Sequence, residues 1–346
     1  MELTVGLFLA VTTALNAALA LMVTVRKLRR DRRERVHADH RGQLRKALLV
    51  GGNELDRLLR GAARHPMKQI DLAAVLPSVI RSDGDWVIAC VRVAATKTGL
   101  ADTLERRLRS RRAAVRGTAA LLVGQLRLPG GAELVAPLLH DADDDVRLVA
   151  AGALGTLANG QAATALVEAI GSRRLPAERI IERIGERWAT AAILAKLEQL
   201  GPNGSTTIRS ALARALGLSG DERAEPALVE ALSSPHLEVR VSAARALATC
   251  GSDECRPHLV RAMNDRAWEV RAQAAASLGA LGATEAVPAL ADNLAHPAWW
   301  VRANAATALG RLGDEGVRAL RVAAAGEDAY AAERATEVLA LVGAAA

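Results

Sequence analysis

Three groups of residues have types and spacings that chemistry could use. Cys250, Cys255 and His258 form a Cys-x4-Cys-x2-His cluster, and thiolates with an imidazole at short spacing are zinc ligands. Arg116, Arg147, Arg209, Arg240, Arg271 and Arg302 recur along the chain, and a stripe of guanidinium groups could neutralise phosphates. Trp268, Trp299, Trp300 and Tyr330 are four of only seven aromatic residues in a chain of 346. Indole and phenol groups are strong anchors in protein interfaces. No Ser-His-Asp order is credible, and no Gly-rich phosphate loop follows a strand. The cysteines number three, an odd count scattered along the chain, which argues against a disulfide framework.

All three groups sit inside an internal repeat. A β-branched residue followed by Arg recurs at Val115, Val146, Ile208, Val239, Val270 and Val301, with spacings of 31, 62, 31, 31 and 31. A glycine nine residues further on marks the same register at Gly124, Gly155, Gly185, Gly217, Gly279 and Gly310, with Ala248 in the one remaining slot. Gly185 therefore supplies the unit hidden in the 62-residue gap, near Pro176 and Ala177. Each unit reads as two helices. Pro226, Pro257 and Pro288 open the first, where a missing N–H does no harm. The second carries apolar residues at offsets 0, 4, 5 and 8, as at Val270, Ala274, Ala275 and Leu278, which is one helical face. Gly251, Gly282 and Gly313 are expected as left-handed caps. The register predicts second helices starting near 87, 115, 146, 176, 208, 239, 270, 301 and 332. Residues 38 to 65 read as one further, non-repeating helix. Composition agrees: 51% of residues are hydrophobic but 2% aromatic, so helices must pack through Ala, Leu and Val.

These VRxxAAxALGxLG units resemble short HEAT repeats of the phycobilisome-lyase-like kind, over roughly residues 70 to 345. The resemblance implies an all-α fold: a right-handed α-solenoid of about nine helix pairs whose second helices line a concave face. A few such relatives are bilin lyases, and most are binding scaffolds. Metal-hydroxylase relatives carry His-Glu pairs, and this chain has no His-Glu dipeptide. In HEAT-like stacks the recurring arginine joins a ladder with acidic residues, here expected to be Asp145, Glu238 and Glu269.

The register also weighs the candidate chemistry. Cys250 occupies the slot of Leu126, Leu157, Leu281 and Leu312, although Ser219 fills it once, and Cys255 that of Ala224 and Ala286. Both are expected as packed thiols, with no metal and no cofactor, since free Cys behaves as a small hydrophobe. His140, His236 and His296 fall in or near turns between paired helices. Offsets 2, 3, 6 and 7 should be the exposed concave positions. Arg214 and Arg245 are the only charged residues among them, too few for a phosphate backbone, so no nucleic acid is expected. Leu121, Leu122, Leu148 and Val149 make that face apolar and suited to a protein segment. Trp268, Trp299 and Tyr330 are each 31 apart, two residues before a second helix starts. Rings there either pack over the helix start or form a docking ridge with Trp300.

The chain opens differently. Leu3 to Val25 contains no charged residue. As a helix this run would extend roughly 34 Å, at about 1.5 Å per residue, enough to cross a hydrocarbon core of about 30 Å. Arg26, Lys27, Arg29, Arg30, Arg32, Arg33 and Arg35 follow it, against Asp31 and Glu34 only. That balance accounts for most of the net charge of +7 and orients the C-terminal side to the cytoplasm. The same segment could bind anionic headgroups. A cleaved signal peptide ending at Ala18-Leu19-Ala20 is disfavoured, because the basic cluster lies on the wrong side of the apolar run.

The expected organisation is a transmembrane helix at 3–25, a basic juxtamembrane segment at 26–41, a capping or linker helix at 42–66 and the solenoid at 67–346. The expected function is a single-pass scaffold on the cytoplasmic face of the inner membrane, with its N-terminus outside. It would hold protein partners, a membrane-embedded protein among them, through the apolar groove, the aromatic ridge, or both. A bilin-lyase-like or other small-molecule activity is the alternative from the enzyme class, and a nucleic-acid-binding HEAT-like protein a weaker one.

Overall fold

The computed structural model describes residues 36, 38–172, 175 and 177–345. The apolar run at 3–25 and the basic cluster from Arg26 to Arg35 lie outside the described residues. No helix among the described residues is long and apolar enough to cross a membrane. Regular structure among them is helical throughout. The chain divides into two compact units between Gly131 and Ala132.

The first unit comprises α1 (38–50), α2 (Asn53–Arg64), α3 (Pro66–Asp83), α4 (Trp86–Lys97), α5 (Leu100–Leu108) and α6 (Ala113–Gln125). The single helix expected at 38–65 is thus two, which also divides the expected 42–66 linker. The break falls at Gly51 and Gly52, with φ of +70° and +50°. A right-handed helix cannot run through two left-handed residues, and glycine takes that conformation without strain. Pro66 then opens α3, its fixed φ already helical. Leu44, Leu59, Leu76 and Leu104 are fully buried in this unit. Buried Asp56 receives the Lys97 ammonium at 2.8 Å. Val87 and Val91, read from the register, are core residues of α4.

The second unit alternates short first helices with longer second helices. The first helices are α7 (Gly131–Val135), α9 (Gly160–Ala169), α11 (Thr190–Leu200), α13 (Glu225–Ala231), α15 (Arg256–Ala262), α17 (Val287–Asp292) and α19 (Gly313–Ala324). The second helices are α8 (Asp144–Leu157), α10 (Ala177–Ile184), α12 (Thr206–Ser219), α14 (Leu237–Cys250), α16 (Trp268–Ala280), α18 (Trp299–Arg311) and α20 (Ala329–Ala345). Each begins within three residues of the position read from the register. The degenerate unit near 176 is real and holds the shortest of them, α10, with 8 residues. Pro226, Pro257 and Pro288 are the second residues of their helices.

Successive second helices pack through small residues. Offset seven, expected to face solvent, is buried in the six units that carry the branched-residue-plus-Arg pair: Leu122, Ala153, Ala215, Ala246, Ser277 and Ala308. Leu122 is therefore a core residue and not a docking position. The glycines nine residues after the branched position explain the burial of Ala246 and Ala308. A Cβ added at Gly279 would stand 2.6 Å from Ala308 Cβ, and one at Gly217 would stand 2.9 Å from Ala246 Cβ. Helices this close exclude larger side chains from both slots. Polar side chains seal the same seam. Thr249 Oγ1 donates to Gly217 O at 2.6 Å, Ser277 Oγ to Ala244 O at 2.7 Å, and Asn304 Nδ2 to Ala272 O at 2.8 Å. Gly282 and Gly313 are left-handed caps, both at φ +66°. Gly251 is not: its φ is −83° and ψ 145°. It is needed for space, because a Cβ there would strike Cys255 Sγ.

Candidate functional site

The recurring arginines are structural staples. Arg116 Nη1 donates to Ser110 O at 2.8 Å, Arg147 to Asp141 O at 2.8 Å, Arg240 to Ser234 O at 3.0 Å and Arg302 to His296 O at 2.8 Å. In each case the acceptor is a carbonyl six residues back, in the turn before the second helix. Arg271 Nε reaches Asp265 O at 2.5 Å, and Arg209 Nη1 donates to Pro202 O. Four of the six, Arg147, Arg209, Arg240 and Arg302, are buried. They close orphan carbonyls that the end of a first helix leaves unpaired, and so do not form a phosphate-binding stripe.

Asp145, Glu238 and Glu269 were the expected ladder partners, but the carboxylate that Arg240 takes from the next repeat is Asp265. Its Oδ2 and Oδ1 accept from Nε and Nη2 at 2.8 and 3.0 Å, a bidentate pair. Burial alone would raise the Asp265 pKa. The bonds from Arg240 and from Ala267 N outweigh it and hold the carboxyl below its ordinary value.

Cys250 and Cys255 are buried thiols in apolar slots, as the register predicts. Burial pushes the Cys250 thiol up to about 12 and the Cys255 thiol up to about 11, so both are protonated at neutral pH and neither is a ready nucleophile. His258 is turned to Arg261, with Nδ1 2.6 Å from its Nη2.

The aromatic residues of the repeats are not packed away as the branched register positions are. Trp268 and Trp299 are the first residues of α16 and α18, and Tyr330 is the second of α20. They are 41%, 46% and 61% exposed, and Trp300 is 57% exposed. Packing over the helix start therefore covers only about half of each ring. Trp299 and Trp300 meet edge to face, with centroids 4.6 Å apart and planes at 84°. The Arg302 guanidinium lies 4.6 Å over the Tyr330 ring, and that of Arg334 lies 5.5 Å over Trp299. Both contacts are within cation–π range. Trp299, Trp300 and Tyr330 are thus each held from one side while leaving much of their surface open. Arg334, and the contact of Arg302 with Tyr330, are what sequence reasoning missed. For Arg334 a signal existed, since it follows Tyr330 by four residues and shares its helical face.

His296 supports the same edge. Its Nδ1 accepts from Ala298 N at 2.9 Å at the start of α18. Burial, then the positive charges of Arg271 and Arg302, lower its pKa from the ordinary histidine value.

The apolar groove positions are less coherent. Leu121 is 36% exposed on α6 of the first unit, and Leu148 is 41% exposed on α8 of the second, where Val149 is half-buried. With Leu122 in the core, each unit shows an isolated apolar side chain where a groove was expected. Scattered apolar exposure of this kind is ordinary for a protein surface.

Residues 190–268 and 256–341 match the family model for HEAT repeats, so this part of the second unit is a HEAT-repeat stack. No curated protein matches the chain by sequence. Among solved structures, an engineered protein is similar at 22% identity and a TM-score of 0.42, over 89% of this chain and 94% of that one. The complex of CpcE and CpcF of phycocyanin lyase from Nostoc sp. PCC7120 is similar at 23% identity and a TM-score of 0.34, over 64% and 92%. Human deoxyhypusine hydroxylase in complex with glycerol is similar at 21% identity and a TM-score of 0.32, over 73% and 99%. Likenesses at these scores assign no activity to this chain.

Proposed function

We propose that the chain is a protein-binding scaffold, held at the cytoplasmic face of a membrane by residues 3–25, whose HEAT repeats dock a partner on Trp268, Trp299, Trp300 and Tyr330. The observation that carries the docking surface is the exposure of three in-register aromatic rings and the adjoining Trp300 in a chain that has seven aromatic residues. Exposing an indole in water is unfavourable, and rigid aromatic anchors lose little conformational freedom when covered. The partner segment that suits such a row offers aliphatic or proline side chains to sit between the rings. Attachment to the membrane rests on the sequence: an uncharged run followed by seven basic residues against two acidic ones.

Capture from membranes tests the reading. Full-length chain in neutral detergent should retain partner proteins that the Trp299→Ala, Trp300→Ala double variant loses, with the helical circular dichroism and melting of both proteins alike. Equal capture by a folded double variant would discard the ridge. Activity of a cytoplasm-dependent reporter fused after Ala346 is the expected outcome for the topology. Activity only of a periplasmic reporter, or a processed form starting near Leu21, would contradict it.

A further inference from the structure

The two units carry opposite charge. Residues 36–131 contain 17 Lys and Arg against 8 Asp and Glu, a net charge of +9. Residues 132–346 contain 21 against 27, a net charge of −6. The basic cluster from Arg26 to Arg35 is therefore continued by the helices that follow it and not by the repeats beyond them.

The first unit also has an apolar face that no described residue covers. α4 carries charge only at Arg92 and Lys97. Its inner side, with Val87, Ile88, Val91, Ala94 and Ala95, is buried. Trp86, Cys90 and Val93 share its outer face at helical spacing and are exposed, Val93 by 68%. A helix apolar on all sides is normally covered on all sides. Leu49 and Val50, at the end of α1, are 84% and 64% exposed. Between the end of α1 and α4 lies an open depression of about 430 Å³, lined by Leu48, Leu55, Ala89, Cys90 and Val93. Exposed cations border this face: Arg45 stands one turn before Leu49, and Lys46 one turn before Val50. Three carboxylates of the unit are already paired, Asp56 with Lys97 at 2.8 Å, Asp83 with Arg45 at 2.9 Å and Asp85 with Arg127 at 3.7 Å.

We infer that this face of the first unit rests on an anionic lipid bilayer, with Trp86, Val93, Leu49 and Val50 in the headgroup layer and the surrounding basic side chains on lipid phosphates. Aromatic and aliphatic side chains bordered by Lys and Arg are the composition of an interfacial surface. The net charge of +9 selects anionic lipid, which attracts basic side chains within a Debye length of the surface. At most about 45 Å of chain separates Val25 from α1, so a membrane helix at 3–25 keeps the unit within reach of the bilayer. The inference rests on that attachment and adds a second contact to it, made by the folded unit itself.

Cys90 supplies the probe. It is exposed, whereas Cys250 and Cys255 are buried, so a maleimide fluorophore labels position 90 of the full-length chain selectively. The labelled chain is reconstituted into vesicles with brominated acyl chains, of phosphatidylcholine alone or mixed with phosphatidylglycerol. The fluorophore should be quenched with phosphatidylglycerol present and much less without it. Raising salt to about 1 M, where the Debye length is about 3 Å, should relieve the quenching. Val93→Asp with Leu49→Asp, both at exposed positions, should abolish it with helical circular dichroism unchanged. The same fluorophore on a Cys90→Ser, Val322→Cys chain reports the second unit and should stay bright. Flotation with phosphatidylcholine vesicles reports the membrane helix separately. Its loss, with quenching by phosphatidylglycerol kept, would discard the anchor and keep the lipid contact of the unit. Flotation with an unquenched fluorophore at position 90 would overturn the inference. So would equal quenching in both lipids, equal quenching at positions 90 and 322, or a response to duplex DNA in detergent with none to lipid.

Discussion

The repeats around Arg240 and those around Arg302 use one device for two ends. In the interior, Arg240 spends its second face on Asp265, and the pair is sealed within the stack. At the C-terminal repeats the equivalent face of Arg302 meets the ring of Tyr330, which remains 61% exposed. A carboxylate there would saturate the guanidinium and finish the surface. A ring lets the same arginine hold an apolar group at the surface, half-covered and in a fixed place. The difference teaches that the register builds the stack, while the identity of one partner per repeat decides whether an edge is closed or presented.

The comparison can be broken most forcefully at its interior half. Asp265→Ala strands a buried guanidinium and should cost about 3–5 kcal/mol, the usual loss when one member of a buried pair is removed. Chemical denaturation measures it. A loss no larger than that of Tyr330→Ala would mean that the two partners are equivalent and the contrast false. Acid should find the same weak point. The folded pKa of Asp265 is depressed, so its contribution is complete above the unfolded carboxylate value of 3.8 and is lost as pH falls through the lower folded value.

Leu278→Ala probes the shared core beneath both regions. Leu278 is fully buried, and the cavity should cost about 2–5 kcal/mol. A loss below about 0.5 kcal/mol, the scale of a surface substitution, would mean that the repeat register is misplaced. Gly279→Val should cost about 1–3 kcal/mol, the range for overpacking, because its Cβ has no room beside Ala308.

Much of this was legible in the residues. The 31-residue spacing places every second helix, and Cys250 and Cys255 are core residues for the reason their slots suggest. Pro226, Pro257 and Pro288 open helices as their fixed φ requires. Other features were not legible, because a period along the chain says nothing about rotation around it. Leu122 shares its offset with Ala246 and Ala308, and only the contact between adjacent second helices shows that this offset is buried. The arginine partners were missed for a related reason. A carbonyl six residues back carries no side-chain signature, so the nearby acids Asp145, Glu238 and Glu269 attracted the assignment. The helix break after α1 was written in Gly51-Gly52 and was overlooked.

Smaller effects sharpen the C-terminal half of the comparison. His296 has a lowered pKa, so it is neutral in the folded chain at pH 7. Its stabilising bond to Ala298 N is fully present above the unfolded value of about 6.5 and is lost as pH falls through the folded value. Melting curves from pH 7 to pH 5 should show stability declining, and His296→Asn, which keeps an acceptor, should flatten the decline. An unchanged slope would remove His296 from the support of the ridge. Tyr330→Ala should cost only about 0.5–1 kcal/mol, the worth of an exposed cation–π contact. A much larger loss would make the ring a core element and not a presented one.

The central claim is that the C-terminal aromatic row is a presented docking surface. A photoreactive phenylalanine analogue placed at position 300 of the full-length chain, and irradiated in intact cells, tests it directly. Val322 on α19 is 74% exposed and lies off the aromatic row, so the same analogue at position 322 serves as the control. The account predicts a discrete protein adduct from position 300 that is absent from position 322. No adduct at position 300, or the same adducts from both positions, would contradict it.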